Sequence, residues 1–286
     1  MATMIINGSG FEYIERGKGT PVIFVHGSLN DYRIWPDQME TFSKHYRAIA
    51  YSRRYHYPNK WTGDGSDYNI DLHAQDLADF IKALGAGRAH LVGSSYGAYT
   101  ILMTSINNPE LVKSLVLGEP PILPLLMPSR SPLKIISLYL KDFSTAKSIM
   151  NFVSKHMKPA TKAAKNNELE KAVRLFSTGV TGDEAYEKLS TERKAGLMDN
   201  APELKAELLY GDFPPFPKEE AGRMTLPTLL VCGQNSPKFF QSISDILGKI
   251  LPNSEKVVIP DSGHLIHGEN PDYYNEKVLE FLKKND

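Results

Sequence analysis

The sequence predicts an α/β fold in which a doubly wound, mostly parallel sheet is interrupted by an inserted helical region. Short apolar runs of strand type alternate with amphipathic helical segments in both halves of the chain, and this alternation is typical of parallel sheets covered on both faces. Polar residues follow the ends of several apolar runs, where open parallel sheets bind their ligands. Between residues 121 and 224 the alternation stops, and the pattern predicts helices alone.

The first 120 residues alternate predicted strands with predicted helices. The apolar run at residues 21–25 is typical of a strand buried on both faces, whereas the alternating run at 11–15 is typical of a half-buried strand. Residues 69–84 form the clearest helix, with Asn69 as its N-cap and Gly85 as its stop. The remaining strands are predicted at 46–51, 89–92 and 111–117, and the remaining helices at 34–45 and 98–107.

Strands and helices alternate again near the C-terminus. We therefore predict one core, made of residues 1–120 and 225–286, with a helical insertion at 121–224. The elements of the second core segment are strands at 226–233 and 255–260 and helices at 238–251 and 271–284.

The composition favours a small-molecule partner. Lys plus Arg and Asp plus Glu each total 33, and this balance gives no overall attraction to nucleic acid or to an anionic membrane. Cys232 is the single cysteine and lies in an apolar run, which is typical of a core residue. The chain shows no secretory leader and no run of membrane-spanning length, and we expect a cytoplasmic protein. A monomer or a homodimer is expected, as for most soluble proteins.

Residues 93–97, Gly-Ser-Ser-Tyr-Gly, connect a predicted buried strand directly to a predicted helix. A nucleophile elbow has this context, because it holds a serine at a strained backbone angle with its hydroxyl above the sheet edge. Flanking glycines then let the strand and the helix approach closely. Ser95 is the candidate nucleophile. The alternative is an ordinary turn of small residues.

A serine nucleophile requires a base and, for full activity, a carboxylate that orients the base. His264 follows the last predicted strand and is the favoured base, and His267 is its competitor three residues later. His73, in contrast, is expected on a helix surface, as are His45 and His156.

Three motifs together resemble those of the α/β-hydrolases, specifically the compact serine hydrolases with a helical cap. They are residues 93–97, His-Gly-Ser at 26–28 and Ser-Gly-His at 262–264. The resemblance covers essentially the whole chain and implies an α/β-hydrolase core, with the insertion as cap or lid. It implies a mechanism that requires no metal and no cofactor. In the dehalogenase and epoxide-hydrolase branches an aspartate occupies the position of Ser95, and the serine therefore argues against those two activities.

One motif departs from the family pattern. Most members carry the acid after the strand that here ends at Gly233, but residues 234–237 are Gln-Asn-Ser-Pro. Glu119 is the candidate acid, because it follows the strand next after the elbow, as in zearalenone-type lactone hydrolases. The alternative is a weaker dyad oriented by Asn235. Asp261 is too close in sequence to His264 to approach its ring from the far side.

The resemblance also implies an oxyanion hole made by the backbone N–H groups of Ser28 and Tyr96. His26 and Gly27 are predicted to line the same site, although the alternative is that they form only a turn. Further substrate-binding candidates are Arg53, Arg54, Leu125 and Tyr139. The two arginines either receive an anionic substrate group or pair with carboxylates of the insertion.

These residues predict a serine hydrolase that cleaves a carboxylic ester or lactone of a small hydrophobic substrate through an acyl-enzyme on Ser95. The main enzymatic alternative is a carbon–carbon bond hydrolase of the same fold. A different class also remains open, namely a ligand-binding or receptor-like protein with little turnover.

Overall fold

The computed structural model describes residues 1–85, 87–127 and 131–286, and a single eight-stranded sheet lies at its centre. The strands are β1 (Ala2–Ile6), β2 (Ser9–Arg16), β3 (Pro21–Val25), β4 (Arg47–Tyr51), β5 (Ala89–Ser94), β6 (Val112–Gly118), β7 (Thr228–Gly233) and β8 (Ser254–Ile259). Their order across the sheet is β1-β2-β4-β3-β5-β6-β7-β8. The two pairings of β2 are antiparallel and all others are parallel. The predicted fold class is therefore confirmed.

Helices cover both faces of the sheet. In β3, Val22 and Phe24 face one apolar cluster, and Ile23 and Val25 face the other, as the two-residue period of a strand requires. The core helices are α1 (Pro36–Phe42), α2 (Ile70–Ala83), α3 (Tyr96–Asn107), α12 (Lys238–Ile250), α13 (Ile266–Glu269) and α14 (Pro271–Lys284). Helices α1 and α14 pack on the first face, and α2 and α3 pack on the second.

Strand β1 was not predicted. It lies at the sheet edge with most of its side chains at least partly exposed, and it therefore lacks the apolar run of a buried strand. Asn7 and Gly8 join β1 to β2 with φ angles of 51° and 78°. An Asn-Gly pair with positive φ is a favoured two-residue hairpin turn. This pair is the sequence signal that indicates a strand, β1, before β2.

The described part of the segment between β6 and β7 consists of helices joined by loops and contains no strand, and residues 128–130 of the predicted insertion lie outside the described residues. It packs on the core through Phe152, whose ring lies 5.2 Å from that of Phe239 in α12. No helix in the described ranges is both long and apolar enough to cross a membrane. The helices of the insertion are α4 (Pro132–Lys141), α5 (Phe143–Phe152), α6 (Lys158–Lys165), α7 (Leu169–Thr181), α8 (Asp183–Glu187), α9 (Thr191–Asp199), α10 (Ala201–Tyr210) and α11 (Lys218–Arg223).

Candidate active site

Ser95 occupies a sharp turn between β5 and α3. Its backbone has φ 54° and ψ −124°, a combination that non-glycine residues rarely adopt. Two close approaches maintain the turn, because a Cβ at Gly97 would lie 2.1 Å from the carbonyl oxygen of Val25 and one at Gly93 would lie 2.7 Å from the backbone of Ala98. Ser95 is half-buried and lines a cleft. Its geometry is that of the predicted elbow.

His264 lines the same cleft and is held from two sides. Its Nδ1 donates to Glu119 Oε2 at 2.7 Å, and its ring stacks on Phe240 with centroids 4.1 Å apart. Its Nε2 is buried and has no hydrogen-bond partner among the described residues. Because Nδ1 carries the proton that bonds Glu119, Nε2 presents a lone pair that can take a proton from a nucleophile.

Glu119 is fully buried at the end of β6, with a φ angle of 47°. The backbone N–H of Gly233 donates to its Oε1 at 2.9 Å, and the hydroxyl of Ser236 donates to its Oε2 at 2.9 Å. Together with His264, these donors satisfy both oxygens of the carboxylate. Ser236 belongs to the loop after β7, where the resemblance placed the usual acid. The carboxylate of Glu119 therefore lies beside the loop in which most family members carry the acid, although Glu119 itself follows β6.

The competing residues lie elsewhere. Asn235 and Asp261 are exposed, and neither makes a hydrogen bond to His264 within the described chain. His267 also borders the cleft, but its ring packs at 4.2 Å on Trp35, and burial lowers its pKa to about 3. A base must gain and lose a proton near neutral pH, and His267 is therefore the poorer candidate.

Residues 26–28 pack directly against the elbow. A Cβ at Gly27 would lie 2.9 Å from the Cβ of Ser95, and only glycine allows this approach. His26 is fully buried, with its Nε2 accepting the N–H of Arg53 at 2.9 Å and its Nδ1 donating to the carbonyl of Gly27 at 2.9 Å. Burial lowers the pKa of His26 well below its usual value. His26 thus braces the turn and is not directed to the cleft, whereas Ser28 lines it.

Leu29 is held by a residue that the sequence analysis missed. Its φ angle is 55°, a strained value for a branched side chain. Its N–H donates at 3.1 Å to Oε2 of Glu203, a fully buried carboxylate in α10 whose Oε1 accepts the hydroxyl of Tyr68 at 2.7 Å. The Leu29 side chain joins the apolar cluster of the insertion. The insertion thus fixes the backbone directly after Ser28.

We expect Glu203→Ala to lower kcat by about 10- to 100-fold with little change in KM. Loss of the carboxylate would displace the backbone N–H of Ser28, the expected oxyanion donor, and such a donor acts mainly on the transition state. Steady-state kinetics and melting curves measure this. Tyr68→Phe is the matched control, since it removes a partner of Glu203 without touching Leu29. Equal losses of kcat in the two variants would show that the carboxylate only stabilises the fold.

Besides His26, four further predicted substrate contacts lie outside the cleft. The Arg53 guanidinium is buried 4.8 Å from the Tyr96 ring, and Arg54 pairs with Asp76 of α2 at 2.6 Å, a core carboxylate and not one of the insertion. Leu125 is buried in the main core cluster, and the ring of Tyr139 lies 5.9 Å from that of Phe143. The surface position expected for His73 is wrong, because its ring is buried against Tyr68 at 4.5 Å.

Helices α7 and α9 form the opposite wall of the cleft. The enclosed space between its walls is small, about 50 Å³, which is below the usual range of small-molecule sites. Arg193 of α9 is the cation at its edge and was also missed by the sequence analysis. It donates to the side-chain oxygen of Asn30 and makes no ion pair within the described residues. The apolar residues that line the cleft are Leu29, Phe176, Val180, Leu189, Leu197 and Leu265.

This arrangement supports nucleophilic chemistry. A strained serine, a histidine with a free Nε2 and a buried carboxylate on its Nδ1 are the parts of a serine-histidine-acid site. Tyr96 begins α3, and its N–H has no acceptor inside that helix, which leaves it available to an oxyanion beside Ser95. The described residues include no cluster of three or more His, Cys, Asp or Glu side chains that could hold a metal ion.

The chain belongs to the alpha/beta hydrolase fold family, whose model matches residues 20–271. It is therefore a member of a family of hydrolases.

Known proteins similar to this chain carry the names of different hydrolases. Epoxide hydrolase 3 of Mus musculus is 24% identical over 300 residues, which cover 97% of this chain and 75% of the relative. The 2-hydroxy-6-oxo-6-(2'-aminophenyl)hexa-2,4-dienoic acid hydrolase of Metapseudomonas resinovorans is 26% identical over 297 residues, or 98% of this chain and 90% of the relative. The enol-lactonase of Burkholderia xenovorans LB400 superposes with a TM-score of 0.71 at 16% identity, covering 99% of this chain and 100% of that one. The last similarity is one of fold alone.

Proposed function

We propose that this protein is a serine hydrolase of carboxylic esters or lactones. The observation that carries the proposal is the bond from His264 Nδ1 to Glu119, which leaves Nε2 free in the cleft that Ser95 lines. A serine at the elbow argues against the epoxide chemistry of the first relative, because the epoxide-hydrolase branch uses an aspartate there.

In the proposed reaction, the Ser95 hydroxyl attacks the substrate carbonyl while His264 Nε2 takes its proton. Glu119 stabilises the imidazolium, and the N–H groups of Ser28 and Tyr96 stabilise the oxyanion. His264 then protonates the leaving alkoxide, and in a lactone this alkoxide stays attached to the acyl group. Water activated by the same histidine hydrolyses the acyl-enzyme and releases the acid.

We further propose that residues 121–224 act as a cap. Side chains of α7 and α9 line the cleft above Ser95, and Asn200, directly after α9, joins the insertion to the core. Its Nδ2 donates to Asp31 at 2.7 Å, and its Oδ1 accepts the N–H of Tyr57 at 2.8 Å. The apolar side chains of the cleft favour a hydrophobic acyl or ring group next to the reacting carbonyl.

Arg193 favours a second candidate, a carbon–carbon bond hydrolase. Burial lowers the pKa of Arg193, and the nearby carboxylate of Asp31 is already bonded by Arg33 and Asn200. A cation at the edge of the cleft without a paired carboxylate suits a substrate that carries its own carboxylate. Dienoic acids have this feature, and so do half-esters of dicarboxylic acids.

A matched set of substrates tests both candidates. We expect 4-nitrophenyl butyrate and 4-nitrophenyl hemisuccinate to be hydrolysed by the parent but not by Ser95→Ala. If Arg193 binds an anion, the hemisuccinate will have the higher kcat/KM, and Arg193→Met will reduce that preference by about 10-fold or more. Turnover of a ring-cleavage dienoate, followed by its absorbance, without turnover of either ester would replace the first candidate with the second. Absence of turnover on all three substrates would contradict both.

A further inference from the structure

The positive charge of the chain is distributed unevenly. Residues 131–167 contain seven lysines and a single acidic residue, Asp142, although the whole chain is balanced. Asp142 caps α5 by accepting the N–H and the hydroxyl of Thr145, and it is thus already engaged. All seven lysines are exposed, and none forms an ion pair within the described chain. They are Lys134, Lys141, Lys147, Lys155, Lys158, Lys162 and Lys165.

The same segment exposes large apolar side chains. Leu133, Ile136 and Leu140 are 76%, 54% and 83% exposed, and Phe143 at the start of α5 is 65% exposed. The spacing of the first three places them on one face of α4. Scattered exposed apolar residues are ordinary, but several on one short helix mark a contact surface.

Lysines border this apolar face. At 100° per residue, Lys134 and Lys141 lie together at one edge of the α4 face, and Lys147 follows Phe143 by one helical turn in α5. A lysine can cover an apolar surface with its methylene stem while its ammonium group reaches outward. An apolar stripe with a lysine border is the pattern of a helix that lies in the interface of a bilayer.

We propose that the face formed by α4 and the start of α5, with its exposed apolar stripe and the unpaired Lys134, Lys141 and Lys147 beside it, docks on the surface of an anionic lipid bilayer. The apolar side chains insert at the boundary between headgroups and acyl chains, and the lysines bind lipid phosphates. Two copies of this face would repel each other through their like charges, which argues against a homodimer contact. A nucleic acid would neutralise the lysines but would leave the stripe exposed to water.

The balanced charge of the whole chain predicted no attraction to an anionic membrane. A net charge of zero does not show that the positive charges are concentrated on one part of the fold. Electrostatic attraction to a surface acts over about 10 Å in ordinary salt, and it therefore depends on the local face and not on the total. The inference does not depend on the proposed hydrolase activity.

Vesicle flotation of the full chain tests the proposal. We expect binding to vesicles of phosphatidylcholine with about 30% phosphatidylglycerol, weak binding to pure phosphatidylcholine, and release as salt rises. Each lysine-to-glutamate change among Lys134→Glu, Lys141→Glu and Lys147→Glu should weaken binding at least about fivefold. The triple variant Leu133→Ser, Ile136→Ser, Leu140→Ser should abolish binding in low salt.

Control variants change similar residues elsewhere on the surface. Ile5 and Val258 are 69% and 48% exposed, and their serine variants should bind vesicles as the parent does. Lys18→Glu and Lys44→Glu should weaken binding less than changes within the docking face. Melting curves show that each variant is folded. Equal binding to both lipid compositions, equal losses in face and control variants, preference for RNA over vesicles, or a dimer that the serine triple variant dissociates would each overturn the proposal.

Discussion

Replacing Ser95 by alanine is expected to lower kcat by about 10⁶-fold, because the acyl-enzyme cannot form without the hydroxyl. The fold should survive, since the Ser95 hydroxyl makes no hydrogen bond that holds other residues together within the described chain. Alanine is close in size and leaves the turn without a new contact. Hydrolysis of 4-nitrophenyl esters, with melting curves of both proteins, measures the effect.

Ser105→Ala is the matched control for that experiment. Ser105 lies in α3, the helix that follows Ser95, and its hydroxyl donates to the carbonyl of Ile101 at 2.7 Å, away from the cleft. The control should retain turnover close to that of the parent. If Ser95→Ala kept more than a small fraction of the parent rate, a water or another side chain would be the nucleophile, and the proposed mechanism would be wrong.

The second large effect is expected for Glu119→Gln, which should lower kcat by about 10³- to 10⁴-fold. The amide is isosteric, but it has no charge to stabilise the imidazolium that forms when His264 takes the serine proton. It also presents either an oxygen or an NH₂ group to His264 Nδ1, and the wrong orientation favours the inactive tautomer. Steady-state kinetics of the purified variant give the loss directly.

Ser236→Asp, added to Glu119→Gln, distinguishes the role of the charge from that of the fold. The Ser236 hydroxyl lies 2.9 Å from Glu119 Oε2, and the new carboxylate is thus placed beside the position that the lost one occupied. Partial recovery of kcat is expected. Near-parental activity of Glu119→Gln alone would remove Glu119 from the mechanism, and Asn235 would then be the next residue to change.

The principal site candidates could be predicted because their signals are local. Ser95 lies within a five-residue motif, and Glu119 and His264 follow predicted strands whose ends meet at one edge of a parallel sheet. The apolar runs that identified the strands also follow local rules, because a strand buried on both faces is apolar along its whole length. Fold class and the positions of these three residues are thus determined by the sequence itself.

Other features depended on which distant residues come into contact. Glu203 lies 174 positions from Leu29, and no pattern near either residue indicates their hydrogen bond. The sequence also does not determine whether a charged side chain lines a cleft or forms an ion pair. Arg54 pairs with Asp76, whereas Arg193 lines the cleft and forms no ion pair in the described chain. The exposure of the apolar stripe of α4 could not be predicted either, because it too depends on distant contacts. Periodicity identifies an apolar helix face, but only the packing of the whole chain decides whether another element covers it.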